Sequence, residues 1–167
     1  MAKKPVQSAT MKNQQPPAPK GALKCGDVGV YSKMQDRPTN RQQRDHVPAT
    51  NSMLKAGDTF LQNSPITMTG DQIACFKRFV KSDALTIAIP KQVHRQHSRT
   101  CSNRGGDARR DADAANLKKA ANDDMNAVKP KLSAECQTKY EEARTKILEQ
   151  LPDKLFKECQ EKAKAKC

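Results

Sequence analysis

One segment of this sequence has a much stronger β-strand signal than any other. Residues 84–90, Ala-Leu-Thr-Ile-Ala-Ile-Pro, form a short β-branched run that stops at a proline. Proline has no amide hydrogen to donate, so Pro90 suits the first turn of a helix, and residues 91–97 can continue that helix. We therefore predict a strand followed at once by a helix, and the rest of the fold has to accommodate this unit.

The remaining predicted elements are mostly helical. Thr69 opens a capping sequence, and residues 73, 76, 79 and 80 then place apolar side chains on one helical face. Pro48 ends a short predicted strand because it cannot donate to a β-ladder. Turn residues between 25 and 50 indicate loops and short extended pieces. The predicted strand covers 44–48, and the predicted helices cover 52–62 (capped by Asn51 or Ser52), 71–80, 107–128 and 133–166, the last kinked or split at Pro152.

Composition limits the size and type of the core. The chain has 167 residues, no tryptophan and only 4% aromatic residues, which predicts a single domain with a lean aliphatic core. The fold class expected is α+β, mostly helical. We divide the chain into a flexible basic Pro-rich arm (1–23), a core carrying the chemistry (24–106) and a C-terminal helical extension packing on that core (107–167).

The net charge of +13 points to a polyanionic partner. The positive electrostatic field of such a chain attracts nucleic acid, an acidic membrane surface or an acidic protein. No stretch approaches the ~20 apolar residues that span a bilayer, so membrane insertion is not expected. The basic start at Met1 is not followed by an apolar segment, which argues against a Sec signal peptide.

The six cysteines predict neither a zinc site nor a disulfide framework. They are scattered without any C-x-x-C pair, whereas structural zinc sites usually show paired ligands at short spacing. Free thiols are the expectation for a chain made in the cytosol.

The chain has only three histidines, and two of them share a predicted helix. His94 and His97 are three residues apart, which places them on one helical face, while His46 directly follows Asp45. Histidine transfers protons near neutral pH and ligates metals. A histidine taken alone is more often structural or on the surface than catalytic.

Taken together, these segments resemble a known nuclease family. Residues 44–48 (Arg-Asp-His-Val-Pro), residues 87–94 (Ile-Ala-Ile-Pro-Lys-Gln-Val-His) and the following Ser-Arg-Thr at 98–100 resemble HNH/endonuclease VII-like (His-Me finger, ββα-metal) nuclease toxin domains. Such domains occur in bacterial polymorphic toxins and type VI secretion effectors. Residues 25–31 are also similar to a segment preceding the Asp-His motif, so the likeness covers roughly 25–100. It implies a small ββα-metal core with a helical insertion.

The resemblance implies a catalytic site built from Asp45, His46 and His94. His46 would be the general base, and Asp45 and His94 would bind one divalent cation, with His97 as a third ligand, a phosphate contact or a surface residue. So few protein ligands suit Mg²⁺ or Mn²⁺ better than Zn²⁺. The residues expected to bind substrate phosphates are Arg44, Lys91, Arg95, Arg99 and Thr100.

Three functional hypotheses follow. The first is a DNase toxin, made in the bacterial cytoplasm, secreted without a Sec signal, acting in the target-cell cytoplasm and neutralised by a cognate immunity protein. A secretion-system component or chaperone is a further expected partner. The second is an RNase of the same fold. The third is a non-catalytic basic module that binds nucleic acid or an acidic partner, for which the histidines would be dispensable and residues 1–23 essential.

Overall fold

The computed structural model describes residues 16–167, and it has the expected α+β, mostly helical architecture. In its three-stranded antiparallel sheet, the strand Leu85–Pro90 lies in the centre, between the strands Val28–Val30 and Gln42–His46. Residues 1–15, the larger part of the predicted arm, lie outside the described residues. The strands are β1 (Val28–Val30), β2 (Gln42–His46) and β3 (Leu85–Pro90), and the helices are α1 (Tyr31–Gln35), α2 (Thr50–Gln62), α3 (Gly70–Asp83), α4 (Lys91–His97), α5 (Gly106–Ala115), α6 (Leu117–Val128), α7 (Ala134–Gln150) and α8 (Asp153–Lys166).

The predicted strand–helix unit is confirmed as β3 and α4. Strand β2 pairs with β3 so that Asp45 lies opposite Ile87 and His46 opposite Thr86. Helices α2 and α3 fill the long connection between these strands, as the sequence required. The two paired strands followed by α4 therefore form a ββα unit that contains a helical insertion.

The second strand begins and ends earlier than predicted. It spans Gln42–His46 rather than 44–48, because the chain bends at Val47 and Pro48 before α2 begins. Ala49 occupies the N-cap position of α2, so the predicted capping by Asn51 or Ser52 is wrong. The short elements β1 and α1 lie in the segment that we expected to be loops and extended pieces.

The helix boundaries were predicted with mixed success. Thr69 forms a complete capping box with Gln72 at the start of α3. The chain splits near Pro152 into α7 and α8, as expected. The single helix predicted over 107–128 is instead two helices, because Asn116 leaves helical geometry and its side chain accepts a hydrogen bond from the Lys119 amide to cap α6.

The core lies between the sheet and the long helices. Phe60, Phe76 and Phe156 pack against one another where α2, α3 and α8 meet. Phe76, Phe79 and Val80 of the predicted apolar stripe face this core, and Tyr140 and Ile147 of α7 are almost fully buried. In a separate small cluster, Leu23 packs with Met34 and Ala88. Leu23 had been assigned to the flexible arm, and that boundary is wrong because its side chain is fully buried.

The expectation of free thiols is wrong for four of the six cysteines. Disulfides join Cys25 to Cys136 and Cys75 to Cys167. Cys101 and the buried Cys159 are free thiols. The first disulfide links the chain just before β1 to α7, and the second links α3 to the end of α8. Among residues 16–167, no helix is long and apolar enough to cross a membrane.

Candidate active site

The C-terminal end of β2 presents two neighbouring side chains to one cavity. Successive side chains on a regular strand point to opposite faces, so Asp45 and His46 could share a site only where the strand stops. Strand β2 does stop at His46, and both residues line a cavity of about 200 Å³ together with His94. The three residues predicted as catalytic are therefore brought together.

Asp45 is held in a fixed position inside the protein. Its side chain is 1% exposed, and a buried carboxylate needs hydrogen bonds or ion pairs to offset the loss of water. The Ser98 hydroxyl donates to Asp45 Oδ2 at 3.2 Å, and the Thr100 hydroxyl donates to Asp45 Oδ1. Thr100, which we had predicted to bind phosphate, therefore orients this carboxylate.

His94 and Asp45 lie close enough together to supply two of the ligands of a divalent cation. Its Nε2 lies 3.3 Å from Asp45 Oδ1. Two neighbouring ligands of an octahedral Mg²⁺, each about 2.1 Å from the ion, would lie about 3 Å apart, so this separation fits such a pair. Within residues 16–167, no group of three or more His, Cys, Asp or Glu side chains could hold a metal. Any cation here would therefore take most of its ligands from water or substrate.

The ring of His46 is oriented by contacts on two sides. Its Nε2 lies 3.3 Å from the carbonyl oxygen of Lys81, and its ring centroid is 4.4 Å from that of Tyr31. A carbonyl oxygen only accepts hydrogen bonds, so Nε2 carries the hydrogen and Nδ1 is free to take a proton. Burial lowers the pKa of His46, a shift that the Lys81 carbonyl and the Asp45 charge oppose. The lowered pKa favours the neutral ring, which is the form that a general base needs.

The first turn of α2 forms another wall of the cavity. Ala49, Thr50 and Asn51 line it, and no side chain caps this helix. The Ser52 amide donates to the Ala49 carbonyl, while the amides of Thr50 and Asn51 lie at the positive end of the helix dipole, which favours an anion nearby. Thr50 and Asn51 were not among the predicted site residues. The only available signal was their position just after the Asp-His motif.

Arg44 lines the cavity, but its guanidinium is engaged elsewhere. It donates to the backbone carbonyls of Met34, Gln35 and Arg37, at distances from 2.7 to 3.1 Å. These contacts fix the end of α1 against β2. Its predicted role in binding phosphate remains a prediction, while the observed contacts are structural.

Lys91 and Arg95 are exposed on α4, next to the cavity. They line a separate groove of about 660 Å³. This groove has no carboxylate in its wall; its lining residues are Arg41, Gln42, Pro90, Lys91, Gln92, Arg95 and Gln96. His97 lies on the same helix but lines neither this groove nor the cavity of Asp45. Of the three alternatives for His97, the surface residue agrees best with its position.

Arg99 faces away from the cavity, toward carboxylates of α5 and α6. Its Nη1 lies 3.2 Å from Asp124 Oδ1, and its Nη2 lies 3.5 Å from Asp113 Oδ1. Burial raises the pKa of Asp124 to about 7; the Arg99 charge opposes this rise and the Asp45 charge adds to it. Arg99 Nη2 donates a hydrogen bond to Asp113, whereas Arg99 Nη1 and the Asp124 oxygens lie close together without a well-directed hydrogen bond.

No protein-family model, curated protein or solved structure matches this chain.

Proposed function

We propose that this protein is a metal-dependent nuclease toxin that hydrolyses phosphodiester bonds of DNA. The observation that carries the proposal is the cavity in which the Asp45–His94 pair lies beside an oriented His46. Phosphodiester hydrolysis needs an activated water, charge neutralisation at the phosphate and a stabilised leaving oxygen. His46 can activate the water, and a divalent cation held by Asp45 and His94 would meet the other two needs.

His46 acts as the general base in this proposal. The Lys81 carbonyl holds the hydrogen on Nε2, so Nδ1 takes the proton of the attacking water. Tyr31 packs against the ring and limits its rotation. A base fixed in this way loses little entropy when the reaction begins.

Asp45 and His94 are the proposed metal ligands. They would hold one divalent cation, Mg²⁺ in preference to Mn²⁺ or Zn²⁺, and such an ion would supply positive charge to the phosphate and the leaving oxygen. The hydroxyls of Ser98 and Thr100 keep the Asp45 carboxylate in place. The uncapped first turn of α2 adds donors for an anionic substrate.

Partners and location belong to the same proposal. An antibacterial toxin of this kind needs a cognate immunity protein in the producing cell, and delivery engages a secretion-system component or chaperone. The target would be the cytoplasm of a rival cell. The net charge of +13 supports attraction to nucleic acid.

Purified protein is expected to degrade plasmid DNA in the presence of Mg²⁺ and to lose that activity in EDTA. Gel electrophoresis over a time course measures the cleavage. Duplex DNA, tRNA and rRNA are digested in parallel, because the same chemistry can attack either polymer. Preferential cleavage of RNA would identify the RNase alternative. Binding of nucleic acid without cleavage under any of these conditions would contradict the proposal and favour the non-catalytic module.

Lys91 and Arg95 are expected to bind phosphates that flank the cleaved bond. The variant Lys91→Gln/Arg95→Gln should weaken DNA binding. It should also make the slope of log K against log [KCl] shallower by about 2, since each phosphate contact contributes about 0.9 to that slope. Fluorescence anisotropy over a range of KCl concentrations measures this. The control Lys146→Gln/Lys154→Gln removes two exposed charges from α7 and α8. If the two double variants showed equal slopes of log K against log [KCl], Lys91 and Arg95 would not be phosphate-binding residues.

A further inference from the structure

The segment Ser98-Arg99-Thr100 connects the candidate site to the C-terminal helices. The hydroxyls of Ser98 and Thr100 both donate to Asp45, and the Thr100 amide donates to Ser98 Oγ at 3.2 Å. Arg99, between them, extends its side chain to the opposite side. Within this segment, Ser98 and Thr100 therefore contact the candidate site, whereas Arg99 contacts helices α5 and α6.

The opposite side of this segment is an acidic cluster of α5 and α6. Arg99 contacts Asp113 and Asp124, both buried, and its Nη1 lies 3.8 Å from Asp123 Oδ2. The planar guanidinium can reach two carboxylates at once, which the single ammonium of a lysine cannot do with the same geometry. Three carboxylates around one arginine leave little attraction for a substrate phosphate. Arg99 differs in this from the exposed Lys91 and Arg95, whose groove has no carboxylate in its wall.

We propose that Arg99 is a positioning residue that anchors the 98–100 segment to α5 and α6, so that Ser98 and Thr100 hold the Asp45 carboxylate beside His94. The C-terminal helices thereby contribute to the site without reaching its cavity. Replacing a group that orients a metal ligand typically lowers metal affinity by about 10- to 100-fold. The part of this inference that concerns a metal rests on the proposed function, whereas the anchoring of the segment does not.

The variant Arg99→Lys tests the anchor because it keeps the charge and loses the planar fork. Hydrogen exchange of the Thr100 amide in metal-free protein should become about tenfold faster, since the hydrogen bond to Ser98 Oγ would open more often. Titration calorimetry with Mn²⁺ alone should show about 10- to 100-fold weaker binding. Asp113→Asn, which removes one carboxylate partner, provides a milder second variant if Arg99→Lys folds poorly.

Arg144→Lys is the matched control. Arg144 also contacts α6, through a 3.0 Å hydrogen bond to Asn122, and has no contact with residues 98–100. It should lower thermal stability without changing Thr100 exchange or Mn²⁺ affinity. Unchanged Thr100 exchange in both Arg99→Lys and Asp113→Asn would overturn the inference. Absence of Mn²⁺ binding by the wild type would count against the proposed function instead, and the exchange measurement would still decide the role of Arg99.

Discussion

Replacing His46 by alanine is expected to slow nucleic-acid cleavage by about 10²- to 10⁴-fold, the usual contribution of a general base. The variant removes Nδ1, the nitrogen left free to accept a proton when Nε2 donates to the Lys81 carbonyl. Initial rates on plasmid DNA at saturating Mg²⁺ measure the effect. Because the proposed metal ligands Asp45 and His94 remain, Mn²⁺ affinity should stay close to that of the wild type.

His97→Ala is the matched control for this prediction, because it removes the histidine that lines neither cavity. Its cleavage rate should stay near that of the wild type. The His46 ring also packs against Tyr31, so circular dichroism and thermal unfolding must first show that His46→Ala is folded. A folded His46→Ala variant that cleaves DNA within a factor of a few of the wild type would exclude His46 as the base.

The variant Cys25→Ala/Cys136→Ala is expected to lower the free energy of unfolding by about 4 to 5 kcal/mol. This disulfide closes a loop of 111 residues, and in the chain-entropy model a crosslink stabilises by limiting the unfolded chain, more so for longer loops. Urea unfolding under non-reducing conditions measures the loss. A decrease of that size would be a large part of the stability of a domain this small.

Cys101→Ala is the control for the disulfide variant, since Cys101 is a half-buried free thiol. It should change the free energy of unfolding by no more than about 0.5 kcal/mol. Peptide mapping without reductant should recover the pairs Cys25–Cys136 and Cys75–Cys167. A map showing free thiols at these four positions would refute the pairing, and equal stability of the two variants would refute its energetic role.

Local sequence signals predicted the elements that carry the site. The β-branched run before Pro90 specified β3 and the start of α4, and the Thr69 capping box specified the start of α3. These signals depend only on neighbouring residues. The break at Asn116 was missed because the flanking alanines and lysines favour helix, and only the cap of α6 by the Asn116 side chain shows why the chain bends there.

Contacts between distant residues could not be inferred in the same way. Arg99 resembled a phosphate ligand in the sequence because its carboxylate partners lie 14 or more residues further along the chain. The cysteine pairs are separated by 111 and 92 residues, so spacing alone could not identify them. The Asp45–His94 contact was expected only through the family resemblance, because nearly fifty residues intervene.

The two disulfides also determine how the chain would tolerate a peptide-bond cut. Their spans, 25–136 and 75–167, overlap and together cover every bond from Cys25 to Cys167. A protease that cleaves once anywhere in this range would produce two fragments that are still covalently joined. A single nick in an exposed connection, such as the segment between α2 and α3, would therefore leave the pieces together and able to re-form the same site.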